Sequence, residues 1–335
     1  MVSRMKILVI GSNSFSGQDF IDLCLTDGHQ VLGMSRSKEK PDVFLRYSGN
    51  PNKKNFDFVR ADYTKDVSFM VSACKAMGFD WIVNFACQSE VAPSWETPWD
   101  WFHTNVTCLS RFVKGLMDAG AKVGKFIHIS SPEIYGTCES NTWYFDYDPS
   151  TPYAVSRAAG DMFLHCCERQ YGFPVSFVRS TNVYGSRQQL FKLIPRTVLR
   201  ILDGGKIQLH GGGRAIKSFI HIRDISRGEL AICYKTTPGR VWHLSPDFGM
   251  SVRSIVEKVA VILGKTLDDV AESVEERPGQ DAAYELSSIP ARKELMWLPT
   301  IPLNEGLHEV VDWVKENYFV LKDISHDYQH KGSFI

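Results

Sequence analysis

The chain has 335 residues, of which 44% are hydrophobic and 23% charged, and 38 lysines plus arginines balance 38 aspartates plus glutamates. This length exceeds what one compact core usually holds, and it predicts two lobes or one large α/β unit. Because the formal net charge is zero and no apolar run is long enough to span a bilayer, we expect neither a nucleic-acid nor a membrane partner.

The eight cysteines form no CxxC motif and no cluster with histidine at the spacing of zinc ligands. Reduced, partly buried thiols are typical of cytoplasmic proteins. The first residues also lack the apolar core of a signal peptide. We therefore expect a cytoplasmic protein with no metal site.

Short β-rich apolar runs alternate with amphipathic helical stretches through the first half of the chain. This alternation is typical of a parallel sheet covered by helices on both faces, so we predict an α/β fold with a doubly wound parallel sheet, a Rossmann fold. The expected strands are residues 6–10, 30–34, 56–60, 81–86, 125–130 and 175–179. The expected helices are residues 17–27, 67–77, 105–119, 152–170, 251–264 and 303–317.

The first strand leads into a glycine turn and a helix, in the sequence "ILVIGSNSFSGQDFIDL". Gly11 permits a tight turn off the strand, and Gly17 allows the helix to pack closely on the sheet. Ser14 stands between them, where its hydroxyl can donate to a phosphate, and Phe15 and Ser16 complete the turn. Free N–H groups at the start of the helix suit a pyrophosphate, so the turn predicts dinucleotide binding rather than a purely structural role.

The second expected strand ends in Ser35 and Arg36, with no acidic residue before Glu39. An acidic residue at this strand end usually accepts a hydrogen bond from the ribose 2′-hydroxyl of NAD, whereas arginine and serine can bind a 2′-phosphate. We predict NADP rather than NAD, the alternative being a solvated arginine in a charged loop. Asp62, just past the third strand, is expected to meet the adenine amino group, with Tyr63 beside it.

The strand–helix alternation loosens after residue 185. We predict a dinucleotide-binding domain over residues 1–185, with a returning segment near 215–240, and a smaller α/β lobe over residues 186–320. The tail at residues 321–335 has no clear periodicity, and the sequence assigns it no role.

The stretch "STPYAVSRAAG" places Tyr153 and Arg157 four positions apart within the expected helix 152–170. Residues at this spacing lie on one helix face, so the phenol lies one turn before a permanent cation. The pair alone fits a catalytic base with its activating charge as well as two surface residues.

Several segments together resemble the extended short-chain dehydrogenase/reductase superfamily, and within it the nucleotide-sugar 4,6-dehydratases and epimerases. The helix resembles their YxxxK motif, with Arg157 where lysine is usual. Further similar segments are the strand "FIHISSPEIYG", the loop "NFACQSEVAPSW", the loop "VRSTNVYGSRQ" and the nucleotide-binding stretches "GGGRAIKSFIHIRD" and "ERPGQDAAYELSS". In pattern the chain is closest to enzymes of the GDP-mannose and dTDP-glucose 4,6-dehydratase type.

The resemblance implies that the first lobe holds the nicotinamide and the second the nucleoside diphosphate of an activated sugar, and it implies a site on particular residues. The implied catalytic residues are Ser131, Glu133, Tyr153 and Arg157. The implied cofactor-binding residues are Gly11, Ser14, Phe15, Ser16, Gly17, Ser35, Arg36, Asp62, Tyr63, Ala86, Gln88, Asn105, Tyr153 and Arg157. The implied substrate-binding residues are Gln88, Ser89, Glu90, Asn182, Arg187, Lys217 and Arg277.

Besides Arg157, two of these residues depart from the family pattern, and one matches it in a structural role. Glu90 stands where histidine is common in the dehydratases, which leaves the choice of sugar open. Lys217 stands where arginine is common and replaces a bidentate clamp by a point charge. Asn105 matches the asparagine that commonly bends the central helix. The resemblance also implies a homodimer through a four-helix bundle built from helices 105–119 and 152–170.

The triplet Ser131-Pro132-Glu133 indicates the type of reaction. The dTDP-glucose enzymes have an acid in the middle position, whereas the GDP-mannose dehydratases and UDP-glucuronate decarboxylases lack it and keep the glutamate. The resemblance therefore favours a nucleotide-diphosphate-sugar 4,6-dehydratase that oxidises carbon 4 transiently. An epimerase or decarboxylase of the same fold, or a catalytically impaired binding protein, remain alternatives.

Arg157 has to replace lysine in lowering the pKa of Tyr153. Ionising a tyrosine near neutral pH requires a shift of about 3 units, or about 4 kcal/mol. A unit charge about 4–5 Å away, at an effective dielectric constant near 20, supplies about 3–4 kcal/mol. By charge Arg157 suffices, but guanidinium is wider than the ammonium that bonds the nicotinamide ribose, so the residue type predicts altered or impaired catalysis.

Overall fold

The computed structural model describes residues 3–138, 144–275 and 285–332. The first half of the chain alternates strand and helix as expected. Its elements are β1 (Lys6–Ile10), α1 (Phe15–Thr26), β2 (Gln30–Ser35), β3 (Phe56–Arg60), α2 (Val67–Met77), β4 (Phe79–Asn84), α3 (Pro98–Phe102), α4 (Leu109–Asp118), β5 (Val123–Ile129), α5 (Pro152–Tyr171) and β6 (Val175–Ser180).

The second half contains shorter strands and a group of helices. Its elements are β7 (Asn182–Tyr184), α6 (Leu193–Leu202), β8 (Ile207–His210), β9 (Ile216–Lys217), β10 (Phe219–His221), α7 (Ile222–Lys235), β11 (Val241–Leu244), β12 (Met250–Ser251), α8 (Val252–Ile262), α9 (Leu267–Val270), β13 (Ala271–Val274), α10 (Ile289–Leu295), α11 (Leu303–Glu316) and α12 (Tyr318–Leu321).

Seven parallel strands form the central sheet in the order β11-β6-β5-β4-β1-β2-β3. Val9 of β1 lies level with Gly33 of β2 on one side and with Val83 of β4 on the other. The strand order reverses between β1 and β4, which is where open α/β sheets place their ligand crevice. The predicted doubly wound α/β fold is confirmed.

The expected helix 105–119 is interrupted at its start. A wide π-helical turn at His103–Cys108 joins α3 to α4. The side-chain amide of Asn105 accepts a hydrogen bond from the backbone N–H of Gln88 at 2.9 Å and donates to the Gln88 carbonyl at 3.0 Å. A Cβ on Gly160 of α5 would come within 2.8 Å of the Asn105 carbonyl oxygen, so glycine is required where the two helices cross.

Two later segments pack against the central sheet. Helix α7 lies on α1, strand β11 extends the sheet beside β6, and α10 contacts both α7 and β11. Leu295 and Trp297 are buried in the same core as Val9. These late apolar residues cover one face of the central sheet, although they lie outside the segments 1–185 and 215–240 predicted for the first domain. The domain bounds stay a prediction.

The second lobe has its own core. Helices α6, α8 and α11 pack on one another through side chains that are fully buried, such as Val198, Val259 and Val311. Among the described residues, no helix has the length and apolar character needed to cross a bilayer.

Residues 322–332, here called the tail segment, continue from α12 without helix or strand. They return to the first domain, where the ring of His330 stacks on Trp101 with centroids 4.9 Å apart and planes inclined by 11°. The sequence had assigned no role to this part of the chain.

Candidate active site

The turn after β1 has no room for side chains at its glycines. Gly11 has a φ of 80°, and a Cβ there would lie 2.7 Å from the backbone nitrogen of Ala86. A Cβ on Gly17 would lie 2.8 Å from the hydroxyl of Ser14, which caps α1 by accepting from the Gly17 N–H at 3.0 Å. The Ser14 hydroxyl proton remains available to an anion, and backbone can approach a ligand closely at Gly11.

A groove of about 330 Å³, here called the sheet-edge groove, opens at the carboxyl ends of β1, β2 and β4. It brings together most of the residues predicted to bind the cofactor: Gly11, Ser14, Ser35, Arg36, Asp62, Tyr63, Ala86 and Gln88. Three residues predicted to bind substrate also line it, namely Ser89, Glu90 and Gln88, the last of which was predicted to bind the cofactor as well. Sequence reasoning missed Asn13, Ser37, Lys40, Thr104, Gln189, Phe191, Tyr328, Gln329 and Lys331.

The loop after β2 is held by Asn13. Its side-chain amide donates to the Ser37 hydroxyl at 2.9 Å and to the Lys38 carbonyl at 2.8 Å. Glu39, the first acidic residue of this loop, accepts a hydrogen bond from the phenol of Tyr47 at 2.7 Å. Since Glu39 does not line the groove, the charges that this loop presents there are those of Arg36 and Lys40.

A second cavity of about 300 Å³, here called the central cavity, contains three of the four predicted catalytic residues: Ser131, Glu133 and Tyr153. Phe15 and Ser16 line it as well. Ser131 follows β5 and caps a short helical turn by accepting from the Glu133 N–H at 3.2 Å. The side chain of Ser131 also opposes the rise in the pKa of the Tyr153 phenol that burial causes. The three residues thus share one cavity and interact with one another.

Burial dominates the electrostatics of Tyr153, which is 7% exposed. Burial raises the pKa of its phenol, the Arg157 charge opposes this effect, and the Glu133 carboxylate adds to it. The net result is a pKa above the ordinary value, so the phenol is protonated near neutral pH. A further positive charge, such as an oxidised nicotinamide ring, would be needed to ionise it.

Arg157 lies behind Tyr153 and does not line the described cavities. Its side chain is 2% exposed, and its guanidinium donates a hydrogen bond to the carbonyl of Ile129 at the end of β5. One turn later, Asp161 is buried in an ion pair with Arg179 at 2.8 Å and accepts from Ser130 at 2.7 Å. In this arrangement Arg157 acts on the phenol through its charge.

Two further predicted cofactor residues have structural roles. Gly17 lies inside α1, where it allows the close contact with Ser14. Asn105 holds the Gln88 backbone in place and donates to the Ser156 hydroxyl of α5 at 2.9 Å. They shape the sheet-edge groove without lining it.

A third cavity of about 280 Å³, here called the lobe cavity, lies in the second lobe and contains Asn182 and Lys217. Arg187, predicted to bind substrate, does not line the described cavities. It has a left-handed φ of 71°, and burial lowers its pKa, helped by the neighbouring charge of Arg46. Arg277 lies outside the described residues.

Sequence reasoning missed Lys192, which lines both the central and the lobe cavity. Its ammonium forms an ion pair of 2.6 Å with the carboxylate of Glu90. The available signal was its place immediately before α6, just after the loop that resembles the family motif. Cys87, which lines the central cavity and the sheet-edge groove, lies inside a motif that had been recognised.

The three cavities are adjacent, and the central cavity shares lining residues with each of the other two. Ser14, Cys87 and Ser89 line both the sheet-edge groove and the central cavity. Asn182 and Lys192 line both the central cavity and the lobe cavity. The predicted catalytic group therefore lies between the groove that contains the predicted phosphate-binding turn and a cavity in the second lobe.

Comparison with known proteins is consistent with this layout. A family model described as GDP-mannose 4,6 dehydratase matches residues 8–310. The chain belongs to this family. The family resemblance seen in the sequence is confirmed, and the match spans both the central sheet and the second lobe.

Relatives of this chain carry the names of 4,6-dehydratases. A dTDP-glucose 4,6-dehydratase from Streptomyces niveus is 30% identical over 331 residues, which cover 93% of this chain and 94% of the relative. A dTDP-D-glucose 4,6-dehydratase from Homo sapiens is 29% identical over 282 residues, which cover 82% of this chain and 79% of the relative.

Solved structures show the same architecture. The dTDP-glucose 4,6-dehydratase DesIV from Streptomyces venezuelae, solved with NAD bound, is 27% identical and superposes with a TM-score of 0.86 over 94% of this chain and 98% of its own. A UDP-glucose 4-epimerase from Thermotoga maritima is 24% identical, with a TM-score of 0.83 over 94% of this chain and 100% of its own. At that identity the epimerase shows the fold alone.

Proposed function

We propose that this chain is a nucleotide-diphosphate-sugar 4,6-dehydratase that uses a nicotinamide dinucleotide. The observation that carries the proposal is the central cavity, in which Ser131, Glu133 and Tyr153 lie together. The family match and the names of the relatives support the same reaction. The sugar is expected in the central cavity, with its nucleoside diphosphate extending into the lobe cavity towards Lys217.

The residues of the central cavity divide the chemistry among them. Tyr153, as phenolate, takes the proton of the carbon-4 hydroxyl, and Ser131 hydrogen-bonds that oxygen while its charge changes. A nicotinamide dinucleotide held in the sheet-edge groove, at Gly11 and Ser14, would supply the redox chemistry, a reversible hydride transfer with the sugar. Glu133 removes the carbon-5 proton, which the new ketone makes acidic, and protonates the departing carbon-6 hydroxyl. The proton taken up by Tyr153 replaces the one lost from carbon 5, so the net change is loss of one water.

The sheet-edge groove fits a dinucleotide. Gly11 leaves no space for a Cβ between the turn and β4, and the Ser14 hydroxyl stands at the start of α1. These features suit a pyrophosphate at the helix N-terminus. Asp62 and Tyr63, on the same groove, would meet the adenosine end.

The choice between NAD and NADP depends on the charges that line the groove. The solved dehydratases from Streptomyces venezuelae and Bacillus anthracis contain NAD, which favours NAD for relatives of this chain. The groove of this chain favours NADP, because Arg36 and Lys40 line it and Glu39 is bonded to Tyr47 instead. We propose NADP on this charge pattern. Tighter binding of NAD+ than of NADP+, measured by titration calorimetry, would reject it.

The reaction can be tested by product mass. Purified protein is incubated with UDP-, GDP-, CDP- and dTDP-linked hexoses and uronic acids, and the products are analysed by mass spectrometry. We expect loss of water from at least one substrate and no conversion by Tyr153→Phe. Loss of carbon dioxide would identify a decarboxylase, and a product of unchanged mass an epimerase. A protein that binds dinucleotide but converts none of the panel would support the impaired binding protein instead.

The predicted homodimer has a matching surface on α5. Val155, Ala159, Met162 and Cys166 face outward at spacings of four, three and four residues, which places them on one stripe. Val155 is 38% and Met162 48% exposed. An apolar stripe of this kind suits pairing of α5 with its copy in a four-helix bundle. The dimer and the cytoplasmic location stay predictions.

A further inference from the structure

Before the tail segment reaches the sheet-edge groove, it contacts the second lobe. Asp327 lies 3.9 Å from the guanidinium of Arg196 on α6. The ring of Tyr328 packs edge-on against Phe191, with centroids 5.4 Å apart. Since Phe191 lines the sheet-edge groove, these contacts hold residues 327 and 328 at the rim of the groove.

Two residues later, His330 is held by side chains of the first domain. His330 lies 2.8 Å from the carboxylate of Asp100 and stacks on the indole of Trp101. Asp100 is 3% exposed and Trp101 is completely buried. A histidine that stacks on a buried ring and contacts a buried carboxylate fixes the position of its backbone. Contacts to a polar surface alone would not do so.

Between these anchors the backbone spans the groove itself. The carbonyl oxygen of Lys331 accepts hydrogen bonds from the Gln88 amide at 2.9 Å and from the Arg36 guanidinium at 3.3 Å. Gln88 follows β4 and Arg36 follows β2, on either side of β1. Tyr328, Gln329 and Lys331 accordingly line the groove together with the phosphate-binding turn.

Residues 328–331 also make the charge of the groove more positive. Lys331 adds a third cation to Arg36 and Lys40, against the carboxylates of Asp62 and Glu90 among the described lining residues. Burial, followed by the charge of Lys331, lowers the pKa of Lys40 to about 8. Cations this close to one another favour an anionic ligand between them.

We propose that residues 328–331 form the outer wall of the dinucleotide site, in which His330 positions the segment and Lys331 supplies a cation to a phosphate of the dinucleotide. The inference rests on the proposed function in that the groove holds a dinucleotide. The 4,6-dehydratase reaction regenerates its cofactor in every cycle, so a wall that slows dissociation of the dinucleotide does not slow turnover.

The positioning role is tested with His330→Ala in the full chain, with His326→Ala as the matched control. His326 is in the same segment and its ring contacts the Leu321 carbonyl, away from the groove. We expect His330→Ala to raise the Kd for both NAD+ and NADP+ about 10-fold and to speed their dissociation, while the control stays within about twofold. Unchanged affinity and dissociation rate in His330→Ala would overturn the inference.

The contribution of the Lys331 charge to dinucleotide binding is tested with Lys331→Met. Lys322→Met is the control, because Lys322 is in the same segment but lies against Tyr318 and Phe319. We expect the Kd for NADP+ to rise about 10-fold, as for one lost charge–phosphate contact. A smaller rise for NAD+ assigns Lys331 to the 2′-phosphate, and an equal rise assigns it to the pyrophosphate. This variant carries the test if His330→Ala fails to fold.

Two failures are distinguishable. If the unaltered protein binds neither dinucleotide, the inference and the proposed function both fall. If it binds a dinucleotide and Lys331→Met leaves both Kd values unchanged, the tail inference alone is overturned.

Discussion

The guanidinium of Arg157 donates a hydrogen bond to the main-chain carbonyl of Ile129, which anchors its charge behind Tyr153. The side chain is 2% exposed and does not line the sheet-edge groove. Arginine at this position thus places a fixed, buried positive charge close to the phenol. An arginine that cannot lose its proton is suited to this task, because its charge is independent of pH.

Removing that charge should slow catalysis. We expect Arg157→Met to lower kcat about 100-fold, because about 3 kcal/mol of stabilisation of the phenolate is lost. The rise of kcat with pH should also move to higher pH, since burial alone keeps the pKa of Tyr153 high. Arg157→Lys should keep the turnover or raise it. Measured pH–rate profiles check this, and an unchanged profile in Arg157→Met would contradict it.

Glu133→Gln should separate oxidation from elimination. Carbon 4 can still be oxidised by Tyr153 and the cofactor, but the carbon-5 proton has no base. We expect water loss to slow about 100- to 10,000-fold. Reduced cofactor should accumulate, seen as near-ultraviolet absorbance. Tyr153→Phe, which blocks the first step, should show no such absorbance. Full dehydratase activity in Glu133→Gln would exclude the glutamate as the base.

The Glu90–Lys192 pair should influence substrate binding. Lys192 lies between the central and lobe cavities, so we expect Lys192→Met to raise KM about 10-fold with little change in kcat. Glu90→Gln removes the competing carboxylate 2.6 Å away and should leave KM unchanged or lower it. Steady-state kinetics on both variants check this. A large fall in kcat with constant KM would place Lys192 in the chemical step instead.

Acid should destabilise the fold through buried His243. Burial, followed by the charge of Arg179, lowers its pKa to about 3, from an ordinary value of about 6.5. Between these values the unfolded chain binds a proton that the folded protein does not, so stability falls as pH drops below about 6.5, by about 1.4 kcal/mol per unit. Urea unfolding at several pH values measures the slope. His243→Gln should reduce it, and an identical slope would contradict this prediction.

Met162→Glu should dissociate the predicted dimer. The new carboxylate would be buried opposite its own copy, where like charges and lost solvation oppose pairing. We expect a monomer by analytical ultracentrifugation. Val261→Glu is the control, because Val261 is an apolar residue of α8 that is 67% exposed on the second lobe. A monomeric unaltered protein would reject the four-helix bundle.

Much of the fold was predictable from local pattern. Periodicity placed β1 and α2 at their observed bounds, and most of the other expected elements within two residues, because strand and helix spacings are properties of neighbouring residues. The helix 105–119 was the exception. Its π-helical start is set by the bonds between Asn105 and Gln88, which no local pattern contains.

The amino-acid sequence by itself determined the glycine turn, the order of strands and helices, and the placing of Tyr153 and Arg157 on one face of α5. These follow from spacing along the chain. Only the tertiary structure decided three contacts. The Arg157 guanidinium bonds to the Ile129 carbonyl, Lys192 to the Glu90 carboxylate, and Gln88 to the Lys331 carbonyl. These pairs lie 28, 102 and 243 positions apart, and only the packing of the whole chain brings such distant residues together.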